Sequence, residues 1–239
     1  MIFVSKLHRI RYLFFSLTLL VIVGLSQPCT SKVLLKQIES TYPGCLYTVE
    51  TTESEVALTI DDGPDSLTTT SILEVLARYD AHATFFLISN RVRGNEAIIS
   101  RIVQEGHEIG NHLTNDEPSI RLSARDFETA FVEADSVLRQ FAEVKWFRPG
   151  SGWYNDEMLS TITKYNYSCA LGSVYPFDTA VPWVWFSVWY IKRHIQPGAI
   201  IVLHDFGANG MRTAETLSKI LPELKNRGIG VVTLSALHN

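Results

Sequence analysis

The chain has 239 residues, of which 46% are apolar and 19% charged, and a formal charge of −4. That length accommodates one large domain with a full core, and the apolar content is that of a globular protein. An acidic balance argues against a protein that holds nucleic acid by charge.

At the N-terminus, Lys6, Arg9 and Arg11 precede an uncharged apolar stretch, 12–25, and Gly24 and Ser26 are small residues spaced as at a signal-peptidase site. A basic flank, a short apolar core and small residues read as an export signal over residues 1–26. The stretch is short for a membrane span, which takes about 20 residues. Residues 2–4 are also apolar, so an uncleaved signal anchor stays open. Residues 1–26 hold three basic groups and no acidic ones, so cleavage would take the charge from −4 to −7. The protein is expected outside the cytoplasm, touching a membrane only through an uncleaved N-terminal segment. Residues 27–49 read as a linker and docking segment, and 50–239 as a single domain. Cys29 and Cys45 lie ahead of the first strand and can pair outside the cytoplasm, whereas Cys169 sits in an apolar stretch and reads as a buried thiol.

From residue 50 the pattern alternates. Residues 55–60 read as a strand. Residues 68–79 carry Ile72, Leu73, Val75 and Leu76 at helical spacing. A strand follows at 83–88, a helix at 96–105 and a short strand at 107–110. Residues 124–141 form a long amphipathic helix with Phe127, Phe131, Ala134 and Leu138 on one face. Then come a strand at 145–147, a helix at 156–165 that Asn155 is placed to cap, and a strand at 168–171. A helix at 183–195, a wholly apolar strand at 199–203, a helix at 212–227 and a last strand at 230–234 complete the chain. Strand–helix alternation predicts a parallel sheet covered by helices. The polar groups fall just past strand carboxyl ends, which favours a closed or nearly closed β/α barrel of about seven parallel strands over an open sheet.

Five sites carry the chemistry. Thr59-Ile60-Asp61-Asp62-Gly63-Pro64 ends the first strand in two adjacent carboxylates, which repel unless a cation or proton neutralises part of the charge. Gly106-His107-Glu108-Ile109-Gly110-Asn111-His112 leads to Asp116, four residues past His112. One imidazole and carboxylate oxygens suit a divalent ion such as zinc or cobalt. Phe147-Arg148-Pro149-Gly150-Ser151-Gly152 puts an arginine after a strand and then a rigid turn whose amides can hold an oxyanion. Asp178 precedes a tryptophan-rich stretch, in which Trp153 and Trp183 are cleft candidates; Trp185 and Trp189, four apart, read as helix-to-barrel packing. Ile200-Ile201-Val202-Leu203-His204 delivers a histidine to a strand end, the natural general acid at neutral pH.

Taken in order, these sites resemble the motifs of the polysaccharide deacetylase family, the carbohydrate esterases with a NodB homology domain. The resemblance spans about residues 50–237 and rests on Asp61-Asp62-Gly63-Pro64, the run 106–112, Phe147-Arg148-Pro149 and Val202-Leu203-His204. It implies a distorted barrel and a metal-dependent hydrolase that removes N-acetyl groups from a GlcNAc-type polysaccharide or oligosaccharide. Asp61 would be the general base, Asp62, His112 and Asp116 the metal ligands, and Arg148 the group that orients Asp61. The Ser151 N–H would serve the oxyanion, and His204, with Asp178 as partner, would protonate the leaving amine. Three departures stand out: Asp116 replaces a second histidine, Gly150-Ser151 replaces Pro-Tyr, and Asp178 and Trp183 are all that is left of the fourth motif. They leave two alternatives, hydrolysis of an O-acetyl group or another amide on the same scaffold, and a non-catalytic glycan-binding relic.

Overall fold

The run Val56-Ala57-Leu58 and the apolar Ile200–Leu203 are buried on both faces, which requires a strand covered on two sides. In the computed structural model, which describes residues 28–239, these stretches are paired neighbouring strands of a wholly parallel sheet. The strands are β1 (Cys45–Leu46), β2 (Glu55–Asp61), β3 (Thr84–Leu87), β4 (Glu108–Asn111), β5 (Trp146–Phe147), β6 (Ser168–Ala170), β7 (Ile200–His204) and β8 (Gly230–Val232). Their order is β1-β6-β5-β4-β3-β2-β7, with β8 paired to the first half of β2. Beyond β6, Val174 makes a parallel bridge to Ile201 of β7, and the Val202 N–H donates to the Val174 carbonyl at 2.9 Å. That bridge curls the sheet back on itself, so the fold is a distorted (β/α) barrel.

The helices are α1 (Pro28–Thr41), α2 (Thr68–Tyr79), α3 (Glu96–Gln104), α4 (Ala124–Leu138), α5 (Asp156–Lys164), α6 (Val184–His194), α7 (Gly207–Asn226) and α8 (Leu234–His238). α4 buries Phe127, Phe131, Ala134 and Leu138, the face its periodicity predicts. Phe131 meets Phe147 of β5 edge-on at 5.7 Å, joining helix to sheet. Truncating a wholly buried phenylalanine of this kind to alanine costs about 3–5 kcal/mol. Asn155 does cap α5, its side chain accepting from the Met158 N–H at 2.8 Å.

The segment 27–49, read as a linker and docking segment, contains α1 and β1. Two expectations need correction. Cys45 is disulfide-bonded to Cys169, with a Cα–Cα distance of 4.6 Å, so Cys169 is not a free buried thiol and Cys45 is not Cys29's partner. The reason is register: β1 lies beside β6 with Cys45 opposite Cys169. Trp185 and Trp189 do not pack on the barrel but stand 64% and 44% exposed, since α6 turns Ser187, Tyr190 and Ile191 inward instead.

Candidate active site

Parallel register puts the chemistry at one end of the barrel. Asp61 ends β2 opposite His204, which ends β7. Asn111 of β4 pairs with Phe147 of β5, so the next residues, His112 and Arg148, leave the sheet side by side. These residues line a cavity of about 610 Å³ together with Asp62 and Ser151.

Asp61 and Arg148 form a buried ion pair, with Arg148 Nη1 donating to Asp61 Oδ1 at 2.6 Å. The same Nη1 reaches the Thr59 hydroxyl at 2.7 Å, and Nε donates to the Ala170 carbonyl at 3.0 Å. The guanidinium lies over the Phe86 ring at 4.1 Å. Three strands, β2, β3 and β6, therefore fix one arginine, and the arginine fixes Asp61. Burial lowers the pKa of the guanidinium, and Asp61 counters that by charge and hydrogen bond.

His204 is held in the same manner from the other side. Its Nδ1 is 2.9 Å from Asp178 Oδ1, and its backbone N–H donates to Asp178 Oδ2 at 2.9 Å. Asp178 is thus the carboxylate partner of His204. Burial alone would depress the imidazole pKa, but the charge and hydrogen bond of Asp178, with Asp61 and Asp62 adding to it, raise it to about 9.

Asp62 has φ of 73°, a left-handed backbone that turns its side chain toward His112. His112 Nε2 lies 3.4 Å from Asp62 Oδ1. The other ring nitrogen, Nδ1, is 2.7 Å from the Arg148 carbonyl oxygen, which can only accept, so Nδ1 carries a proton. In the neutral ring Nε2 then presents a lone pair to a carboxylate, and two electron-rich atoms face each other. Burial works against charging either group, yet their mutual contact lowers the Asp62 pKa and raises that of His112. A proton or a cation relieves the pair. A metal-binding imidazole commonly donates its second N–H to a backbone carbonyl in this way, so Asp62 and His112 fit a divalent ion.

Asp116 lies apart from that pair. It lines the cavity, but its side chain is 62% exposed and meets Arg91 Nη2 at 3.4 Å. Among the described residues no three His, Cys, Asp or Glu side chains converge on one point. Arg91 also donates to the Asp62 carbonyl oxygen, so one arginine spans both ends of the Asp62–Asp116 gap.

Ser151 has φ of 61° in a tight turn, and the turn depends on Gly150: a Cβ there would sit 2.1 Å from the Glu117 carbonyl oxygen. Trp153 lines the cavity. Trp183 is outside that lining, 58% exposed, with its ring stacked on Trp185 at 6.1 Å. Tyr175, which opens the stretch Tyr175-Pro176-Phe177-Asp178 and has no role assigned from sequence, is edge-on to His204 at 5.6 Å and lines the cavity. Asn209 lines it as well, because α7 begins at Gly207 rather than 212. Nothing in the sequence marks Asn209.

The polysaccharide deacetylase family model matches residues 48–170, a stretch that begins after α1 and β1. A peptidoglycan-N-acetylglucosamine deacetylase of Bacillus cereus is 36% identical over 208 residues, covering 86% of this chain and 97% of its own length. The crystal structure of a peptidoglycan N-acetylglucosamine deacetylase superposes with a TM-score of 0.76 at 29% identity, over 81% of this chain and 92% of that one. A family 4 acetyl xylan esterase from Clostridium thermocellum, in complex with a cobalt ion, superposes with a TM-score of 0.71 at 31% identity, over 77% and 89%.

Proposed function

The chain belongs to the polysaccharide deacetylase family, and from that premise we propose that it is an exported, metal-dependent hydrolase that removes N-acetyl groups from a GlcNAc-type glycan of the cell surface. One observation carries the reading: an Arg148-clamped carboxylate, Asp61, stands in strand register with an Asp178-clamped imidazole, His204. Base and acid thus flank one cavity, the arrangement that amide hydrolysis needs.

Arg148 holds one oxygen of Asp61, and the carboxylate takes a proton from the attacking water. The new C–O bond places negative charge on the former acetyl oxygen. The Ser151 N–H, at a left-handed turn, is the donor for that charge. His204 uses Nδ1 to donate to Asp178, so Nε2 is free to deliver a proton to the departing nitrogen. The C–N bond then breaks, leaving acetate and an amine on the sugar. A divalent ion held by Asp62 and His112, zinc or cobalt, would lower the pKa of water and polarise the carbonyl.

The similarity to an acetyl xylan esterase favours one second reading, O-acetyl hydrolysis. An alkoxide leaves with less need of a proton than an amide nitrogen, and the strongly charged His204–Asp178 pair therefore favours the amide. The purified protein, loaded with zinc or cobalt, is to be assayed for acetate release from chito-oligosaccharides, peptidoglycan and acetylated xylan. Metal-dependent release from the first two, lost in His112→Ala, is the expected result. Release from acetylated xylan alone would move the assignment to an ester. Oligosaccharide binding without any release would leave a glycan-binding relic.

A further inference from the structure

The active-site cavity has a wall that comes from outside the barrel. Leu35 and Ile38 of α1, with Tyr47 just past β1, line the same cavity as Asp61 and His204. This segment lies ahead of the stretch that the family model matches, so the motifs assign it no role.

The segment is firmly attached. The Cys45–Cys169 disulfide ties β1 to β6, and the Leu171 N–H donates to the Leu46 carbonyl at 2.8 Å. The Tyr154 hydroxyl donates to the Tyr42 carbonyl at 2.7 Å, at the end of α1, and sits 3.1 Å from the Tyr47 hydroxyl. The Thr48 hydroxyl reaches back to Glu39 of α1 at 3.0 Å. These contacts seat α1 against the β6 side of the cavity mouth.

Leu35 and Ile38 are half-buried aliphatic side chains. They offer a sugar hydroxyl no hydrogen bond, and pressing a sugar ring onto them strips water from hydroxyls without replacement. They also lack the flat aromatic face with which Trp153 can stack on a sugar. An aliphatic wall of this kind ends a glycan-binding cleft instead of extending it. We infer that α1, through Leu35 and Ile38, closes the β6 side of the cleft and limits how many sugar units the protein accepts there. The inference rests on the deacetylase reading for its substrate class.

The test uses the full chain and chito-oligosaccharides of two to six sugars. The double variant Leu35→Ala/Ile38→Ala opens the wall, and Leu35→Ala opens half of it. Opening should raise the ratio of kcat/KM for the longest oligomer over the shortest by about tenfold, equivalent to about 1.4 kcal/mol. The gain should appear in KM of the long oligomer, and Leu35→Ala should give a smaller rise. Both positions are half-buried within α1, and unchanged thermal melts would confirm intact folding. A ratio unmoved by both variants, or an equal loss at every length, overturns the inference. If the wild-type protein releases acetate from no oligomer, the deacetylase reading fails separately. Calorimetric affinities across the same oligomers then read the wall alone: a length preference shifted by the variants sustains it. No such shift, or no binding, overturns it.

Discussion

Replacing Asp178 with asparagine isolates what the carboxylate does for His204. Asp178 accepts two hydrogen bonds, from the ring at Nδ1 and from the His204 backbone N–H, each at 2.9 Å. An amide has one acceptor oxygen, so the variant leaves one N–H facing an NH₂ and removes the charge. His204 is raised to about 9 by Asp178 first, then by Asp61 and Asp62, against the opposing effect of burial. The distance from the ordinary value of 6.5 corresponds to about 3.4 kcal/mol in favour of the imidazolium, the net of the three carboxylates against burial. At about pH 7.5 a group titrating near 9 is about 97% protonated, whereas one at the ordinary value is about 9% protonated. The acid form that protonates the leaving nitrogen therefore falls about tenfold if the whole rise is lost. The assay is the pH profile of kcat/KM for acetate release. In the wild type the alkaline limb is expected near 9, and in Asp178→Asn it moves toward 6.5. The folded value lies above the unfolded one, so the stability this group contributes is fully present below about 6.5. It is lost as the pH rises through about 9. An alkaline limb that stays near 9 in the variant would refute the coupling, and with it the role of His204 as an acid tuned by Asp178.

Asp61→Asn should lower kcat by at least about 10²-fold, the usual worth of a positioned base, with bound zinc still measurable by elemental analysis. It also leaves Arg148 buried without its counter-charge, so a stability loss of about 3–5 kcal/mol should appear in denaturant titration; normal activity would remove Asp61 from the role of base. Replacing both Cys45 and Cys169 with serine opens a cross-link between positions 124 residues apart and should cost about 2–5 kcal/mol. A melting curve identical to the wild type's would mean that the bond contributes nothing to folding.

The barrel was legible because buried parallel strands print as unbroken apolar runs and the helices as clear 3.6-residue periods. The catalytic groups were legible for a related reason: each directly follows such a run, at Asp61, Arg148 and His204. What escaped had no periodic signal. β1 is two residues long and gains its partner only through β6, from 124 positions away, so Cys45 could not be matched to Cys169 from sequence. α7 begins at Gly207 because Asp205 receives hydrogen bonds from the hydroxyls of Thr68 and Thr69, and those tertiary contacts fix the chain where local propensity would not. Trp185 and Trp189 stand exposed against their predicted packing, because four-residue spacing tells which residues share a face but not whether that face meets the barrel. Asp116 is four residues from His112, yet Leu113 adopts a left-handed backbone at φ of 64°, so the two share no helical turn, and Asp116 meets Arg91 instead.

The position of Asp116 bears directly on the metal. Asp61, Asp62 and Asp178 bring three carboxylates to the site against the single permanent cation of Arg148. With His204 protonated, as its raised pKa gives, and His112 a neutral donor, the balance is one negative charge, which favours a bound cation. Asp62 and His112 already face each other at 3.4 Å with the His112 proton committed to the Arg148 carbonyl, whereas Asp116 is engaged by Arg91 at the rim. A ligand that binds only the folded state raises its stability by about 2.7 kcal/mol at a hundredfold excess over Kd. Zinc should therefore lift the Tm of the wild type by several degrees, a readout independent of turnover. His112→Ala should abolish the rise, because it removes the imidazole that faces Asp62. Asp116→Ala should keep most of it, since the pair that faces the ion is intact. If Asp116→Ala loses the zinc-dependent rise as fully as His112→Ala does, then Asp116 swings from Arg91 to complete a three-residue site. A two-residue account of the metal centre would then be wrong.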